Sequence, residues 1–146
     1  MASFRIGGDD SEYLSVKVAG RSHAAQDYWD GNWLNADIEI DAGAFRGRYG
    51  AYLRAEELLS FRDAIARLYS FDSKGARFET MERQLSINIA GDSLGHFTAE
   101  CQAIDQAGIG NRLSFSLSFD QTEIPAMLKG LDAIVREYPV IGKPDI

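Results

Sequence analysis

Within one short stretch the chain sets His23, Asp27 and Asp30 beside Tyr28, Trp29 and Trp33. An imidazole and two carboxylates so close together could work as an acid–base pair, or hold a metal, in a pocket walled by the two tryptophans. The plainer reading makes His23 a surface loop histidine and gives the carboxylates turn hydrogen bonds. No second histidine lies nearby, and the spacing matches neither a zinc nor a calcium pattern, so the sequence calls for no metal and no cofactor. The segment Asp27-Tyr28-Trp29-Asp30-Gly31-Asn32-Trp33 holds both tryptophans of the chain in what otherwise reads as polar loop. Large aromatics in a loop are either packed down as a plug or offered to a partner. As a binding edge, Tyr28 and Trp29 would be the anchors and Asp27, Asp30, Asp37 and Glu39 the carboxylates, beside Arg46 and Arg48. Trp33 abuts the next apolar run and is expected to pack as core, unlike Trp29.

The remaining reactive groups read as structural. His96 follows Asp92 by four residues at the start of a strand and suits a turn hydrogen bond. Cys101 falls on an apolar face, where a thiol behaves as a small hydrophobe rather than a nucleophile. The paired glycines match no phosphate-loop spacing. Ser114, Ser116 and Ser118 alternate with large apolar residues instead of sitting on a strained elbow, against a serine hydrolase. No catalytic residue is assigned, and the chain is expected not to be an enzyme.

These side chains must be positioned by regular elements, and the pattern is legible. Phe4 and Ile6, then Leu14, Val16 and Val18, alternate around Gly7-Gly8-Asp9-Asp10 as a hairpin would. Leu34, Ala36, Ile38 and Ile40 share one face of a third strand, and Phe45, Gly47, Tyr49, Ala51 and Leu53 one face of a fourth. The period then becomes helical: Leu58, Phe61, Ile65 and Leu68 mark a helix over 55–69. Strands return over 76–80, 85–89, 97–103 and 113–119, and Ile124, Met127, Leu131 and Ile134 mark a second helix, with Thr122 as expected N-cap and Pro125 in its first turn.

Adding 66 carries the first helical stripe onto the second, adding 63 carries Leu34, Ala36, Ile38 and Ile40 onto Phe97, Ala99, Cys101 and Ala103, and adding 71 carries Leu14, Val16 and Val18 onto Leu85, Ile87 and Ile89. The halves therefore read as one unit written twice, and the change of offset places an insertion of about eight residues at the aromatic loop. The expected fold is a single α+β domain over residues 1–146, an antiparallel sheet of about eight strands with two helices on one face, in the order ββββα-ββββα. The opposite face would be polar.

Composition narrows the partners. A chain of 146 residues can bury a core without staples. A formal charge of −7 disfavours nucleic acid, whose phosphates need clustered Lys and Arg, and favours a basic partner. A single cysteine suits a reducing cytosol, and no long apolar run suggests secretion or membrane insertion, so a cytoplasmic location is expected.

Several segments resemble the bacterial immunity-protein family (WapI-like) that protects against a wall-associated, contact-dependent nuclease toxin. They are Asp27 through Leu34, Phe61 to Tyr69, Gly95-His96-Phe97, and Asn111 through Thr122. The resemblance implies a small cytosolic binding protein, without catalysis, that neutralises a basic toxin domain. It carries over no defined set of binding residues. Two other readings stand beside it: a small ligand-binding domain or acid–base enzyme around His23, Asp27, Asp30, Trp29 and Trp33, and a structural subunit pairing through its open sheet. A deep pocket with converging carboxylates would favour the enzyme, a shallow acidic face the binding protein.

Overall fold

Alternating apolar residues fix which face of each strand turns inward, and the computed structural model, which describes residues 2–7 and 12–144, shows how those faces meet. The first half is β1 (Ser3–Ile6), β2 (Tyr13–Arg21), a single helical turn α1 (Tyr28–Gly31), β3 (Trp33–Ala42), β4 (Phe45–Arg54) and the helix α2 (Ala55–Tyr69). The second is β5 (Gly75–Glu79), β6 (Leu85–Gly91), β7 (His96–Ile104), β8 (Arg112–Asp120), a 3-10 turn (Gln121–Glu123) and the helix α3 (Ile124–Glu137). The expected order ββββα-ββββα is present. The eight strands divide into two antiparallel sheets of four, β1-β2-β3-β4 and β5-β6-β7-β8, so the halves share one topology, consistent with duplication. Of the turn expected between the first two strands, Gly8, Asp9 and Asp10 lie outside the described residues.

Each helix packs beside the first strand of the other half as well as against the other helix: α2 meets β5, and α3 meets β1. Phe61 on α2 joins the two halves, its ring 5.7 Å from that of Phe4 on β1 and 5.2 Å from that of Phe78 on β5. The helical stripes read from sequence, Leu58, Phe61, Ile65 and Leu68 with Ile124, Met127, Leu131 and Ile134, are all buried in one core with the inner faces of both sheets. Cys101 is part of it, and burial pushes its thiol up to about 12. A side-chain amide closes the gap between the sheets at the β4 edge. Gln84 accepts from Tyr52 N (3.3 Å) and donates to the Gly50 carbonyl (3.2 Å), as a neighbouring strand would.

The second helix starts differently from expectation. Thr122 is not its cap: a 3-10 turn over Gln121–Glu123 leads into α3, and Asp120 caps that turn, its carboxylate accepting from Thr122 N at 2.9 Å while Glu123 accepts from Asp120 N at 2.8 Å. A carboxylate accepts these N–H groups more strongly than a hydroxyl does, and the helix dipole favours its charge there.

The contact between α3 and β1 depends on Gly130. A Cβ there would overlap the Ser3 carbonyl oxygen and lie 2.9 Å from Phe4 Cα. Alanine in a helix interior normally gains up to about 1 kcal/mol over glycine. Here Gly130→Ala should instead lose about 1–3 kcal/mol, because the obstructing atoms are backbone. Denaturant melts check the sign; a gain in stability would mean that the helix can shift off the strand freely.

Candidate functional site

The aromatic loop crosses one end of the outer face of the first sheet, and the parity of two strands puts it there. Trp33 on β3 and Arg54 on β4 are register partners, both pointing away from the core. Exposed outward residues dominate β4, yet Arg54 is only 1% exposed, because the loop folds over it. Its guanidinium lies 4.8 Å from the Trp33 ring centroid, 5.2 Å from Tyr28 and 5.4 Å from Trp29. Its nitrogens donate to the carbonyls of Trp29 (2.8 Å) and Tyr28 (2.7 Å) and to Glu56 Oε2 (2.5 Å). One flat cation thus satisfies the loop's backbone and stacks beneath its rings.

Asn32 and Arg21 complete the docking. Fully buried Asn32 donates to the carbonyls of Tyr28 and Ile141 (2.9 Å each) and accepts from Ile141 N (2.8 Å). Its own carbonyl accepts from Ala55 N, the first amide of α2 (2.9 Å). Arg21 donates to the Gly31 and Pro139 carbonyls, 2.7 Å each. The segment after α3 is therefore strapped along the loop.

The sequence-derived candidates separate into groups. Asp27 caps α1, accepting from Asp30 N at 3.3 Å, and Asp27 and Asp30 are both exposed. Trp29 is 48% exposed while Tyr28 is half-buried, its hydroxyl held above its ordinary range by burial and by Glu56. Trp33 is half-buried against Arg54 rather than set in the core as expected: its strand parity points outward, where only the loop covers it. Asp37 and Glu39 continue the outward face of β3 and stand in register with Lys17 and Arg48. Glu39 also accepts from the Tyr13 hydroxyl, which lowers the carboxyl. The face is thus a checkerboard of opposite charges rather than an acidic plate.

His23 and Trp33 line an open hollow of about 410 Å³ together with Ser22, Asn35, Tyr52 and Glu82. Asp27, Asp30 and Trp29 do not line it, so the carboxylates and the imidazole grouped by sequence do not converge on one cavity. Among the described residues no cluster of three or more His, Cys, Asp or Glu is placed to hold a metal. His96 Nδ1 lies 2.8 Å from Asp92 Oδ2 in the expected turn. Sequence reasoning missed Arg54, Asn32, Tyr52 and Glu82. Arg54 alone had a signal, as the residue that follows Tyr52 by two on the outward parity and ends its strand directly before a helix.

A second half-buried carboxyl, beside that of Glu56, lies at the same helix end. Glu57 accepts from Arg54 N (2.8 Å) and Met81 N (2.6 Å), tying α2 to the β5–β6 connection. Burial pushes it up to about 7, against those two amides.

Comparison with known proteins gives one family and a fold. The family model described as "Immunity protein WapI-like family" matches residues 5–139. Two solved structures are similar at 13% identity and a TM-score of 0.50. One is the crystal structures of Trypanosoma bruciei MRP1/MRP2, covering 94% of this chain and 86% of that one. The other is a guideRNA-binding protein complex bound to a gRNA, covering 93% and 91%. At that identity the likeness concerns the fold alone. No curated protein matches the sequence.

Two measurements test this geometry. Arg54→Met keeps the bulk but strips donors from Glu56 and two carbonyls, and should cost on the order of 3 kcal/mol with a shift of tryptophan emission; a melt within 0.5 kcal/mol of wild type would mean that the guanidinium does not hold the loop. For Glu57 the folded value of about 7 lies above the 4.5 of an exposed glutamate. Between those values the folded state keeps a proton that the unfolded chain releases, so stability falls as pH rises through the window, levels off above about 7, and is unaffected below about 4.5. The fall should be at most about 3 kcal/mol. Glu57→Gln should remove that slope, read as the difference between mutant and wild-type melts from pH 4 to 8; identical slopes would place the proton elsewhere.

Proposed function

The chain belongs to the WapI-like immunity protein family, and from that premise we propose that it binds and neutralises a toxin domain without catalysing a reaction. The family match over residues 5–139 carries the reading. No described helix is long and apolar enough to cross a membrane. The proposed place of action is the cytoplasm, where a nuclease-type toxin would meet its substrate.

The proposed contact surface is the docked loop with the adjoining strand: Asp27, Tyr28, Trp29 and Asp30, then Asp37 and Glu39. Two properties support it. The loop is held by backbone and side-chain hydrogen bonds from Arg54, Asn32 and Arg21, so its exposed indole is ordered before a partner arrives, which lowers the entropy lost on binding. And Asp37, four strand residues from Trp33, lies about 13 Å along the sheet, within the span of one ordinary protein interface. A toxin domain that cleaves nucleic acid needs basic groups to hold phosphate, and carboxylates beside a rigid aromatic anchor suit such a surface. None of the four acids forms a salt bridge among the described residues, but Asp37 and Glu39 stand in register with Lys17 and Arg48, whereas Asp27 and Asp30 lie off the sheet with no such neighbour in register.

Neutralising both loop carboxylates, Asp27→Asn with Asp30→Asn, separates association from folding, because asparagine caps a helix about as well as aspartate. Affinity for the cognate toxin domain should drop at least tenfold at low salt, its salt dependence should flatten, and the melting temperature should stay nearly constant. Titration at several salt concentrations beside a thermal melt measures all three. Unchanged affinity would remove the loop from the interface; a large loss of stability would assign the carboxylates to folding.

A further inference from the structure

The open hollow at the foot of the aromatic loop has a composition that the toxin-binding reading does not by itself explain. Its walls are Trp33 and Tyr52, which extend from neighbouring strands on the same outward face, Tyr52 standing in register with Asn35. Tyr52 is 55% exposed, a large aromatic presented to solvent with its backbone N–H already committed to Gln84. The polar side is Ser22, His23, Asn35 and Glu82, with Ser22 Oγ donating to Asn35 Oδ1 at 2.8 Å. Of the lining residues Glu82 is the carboxylate, and none is a lysine or arginine. Two π-faces, a carboxylate and amide and hydroxyl oxygens make a receptor for a flat cation. The molecule shows the same recognition internally, since the Trp33 indole already packs against the guanidinium of Arg54 at 4.8 Å and Glu56 neutralises it at 2.5 Å.

We propose that this hollow receives one arginine side chain of the basic protein partner, its guanidinium lodged between Trp33 and Tyr52 and facing Glu82. The assignment rests on the toxin-binding reading for the source of the arginine. Its chemistry rests on the hollow alone. The volume, about 410 Å³, lies in the range of small-ligand sites and exceeds what one side chain fills, so its neighbouring partner residues would enter with it. Arginine is among the residues most enriched at interface hot spots, and a planar cation between aromatic faces is how such a residue is anchored. The hollow adjoins the loop through Trp33, so the arginine would sit beside the surface offered by Trp29.

The experiment uses the whole chain and two small probes, N-acetyl-arginine amide and its uncharged urea counterpart, N-acetyl-citrulline amide. Titration followed by tryptophan emission and by NMR of the indole and tyrosine ring protons should show saturable arginine-probe binding with a dissociation constant of about 1–10 mM and citrulline-probe binding at least fivefold weaker. Glu82→Gln and Tyr52→Ala, both at exposed side chains, should each weaken the arginine probe at least threefold with melts unchanged. Against the toxin domain, Tyr52→Ala should lower affinity at least tenfold. Equal binding of the two probes, no binding, or no response to either substitution overturns the cation site while leaving the toxin titration intact. Probe binding that depends on Tyr52 and Glu82, with toxin affinity unaffected by Tyr52→Ala, overturns the assigned occupant. A wild-type protein that binds the arginine probe but no toxin domain supports the cation chemistry and refutes the function reading instead.

Discussion

A guanidinium removed from water on the outer side of a sheet is the constraint to which this end of the molecule answers. An unpaired buried charge is costly, so Arg54 persists there only because Glu56, two main-chain carbonyls and three aromatic rings replace its hydration. Those partners come from three places: the loop, the start of β3 and the start of α2. None can move without exposing or orphaning the cation. A lysine would offer a point charge with no plane to stack, and a methionine no donors, so the geometry depends on the flat fork of donors that arginine has. The loop is consequently part of the folded scaffold, although its indole at position 29 faces solvent.

The two halves solve the same local problem in different ways. Trp33 opposite Arg54 in the first sheet corresponds to His96 opposite Asp120 in the second. A glutamate three residues on reaches back in both, Glu57 to Arg54 N and Glu123 to Asp120 N, each at 2.8 Å. That shared detail supports duplication more strongly than matched periodicity does, because period alone does not specify a side-chain-to-amide bond. The halves diverge at the cap itself. Asp120 accepts the helix-end amides with its own carboxylate, whereas arginine has no acceptor. Both halves keep the bond from the first amide after the strand to the carbonyl before its partner strand, Ala55 N to Asn32 O at 2.9 Å and Gln121 N to Gly95 O at 2.8 Å, so the inserted loop leaves that link unchanged.

This division explains what was legible in the sequence. Apolar alternation and the change to helical period located the strands, both helices, the inner faces and the burial of Cys101, since each depends on neighbours a few positions away. The separation into two sheets was not visible, because alternation assigns faces and not pairing partners. Trp33 was misplaced into the core for a related reason: its size suggested burial, while parity with Asn35 and Asp37 put it outside. Arg54 could not have been found as buried, for its covering comes from Tyr28 and Trp29 across a separation of 25 and 26 residues, and the loop is held in turn by Asn32, which bonds to Ile141 across a separation of 109. The hollow is equally non-local, since Glu82 reaches it from the second half.

The insertion therefore has two consequences. It covers Arg54 with the carbonyls and rings of Tyr28 and Trp29, and it adds to an otherwise repeated frame a surface absent from the equivalent place among the described residues of the second half, where the turn from Asp92 to Gly95 is closed by Asp92 on Leu94 N and His96. A pseudo-symmetric frame offers a partner two similar faces, and specificity needs them to differ. The difference lies in the loop. The outer face of the second sheet mixes Ser114, Ser116, Ser118, Thr98 and Asn88 with Arg77, Glu79 and Glu100, and the first sheet likewise sets opposite charges across its strands. The acids of the loop, free of salt bridges among the described residues and fixed beside an indole that Arg54 holds from below, give the molecule a directional feature that its symmetric frame does not provide.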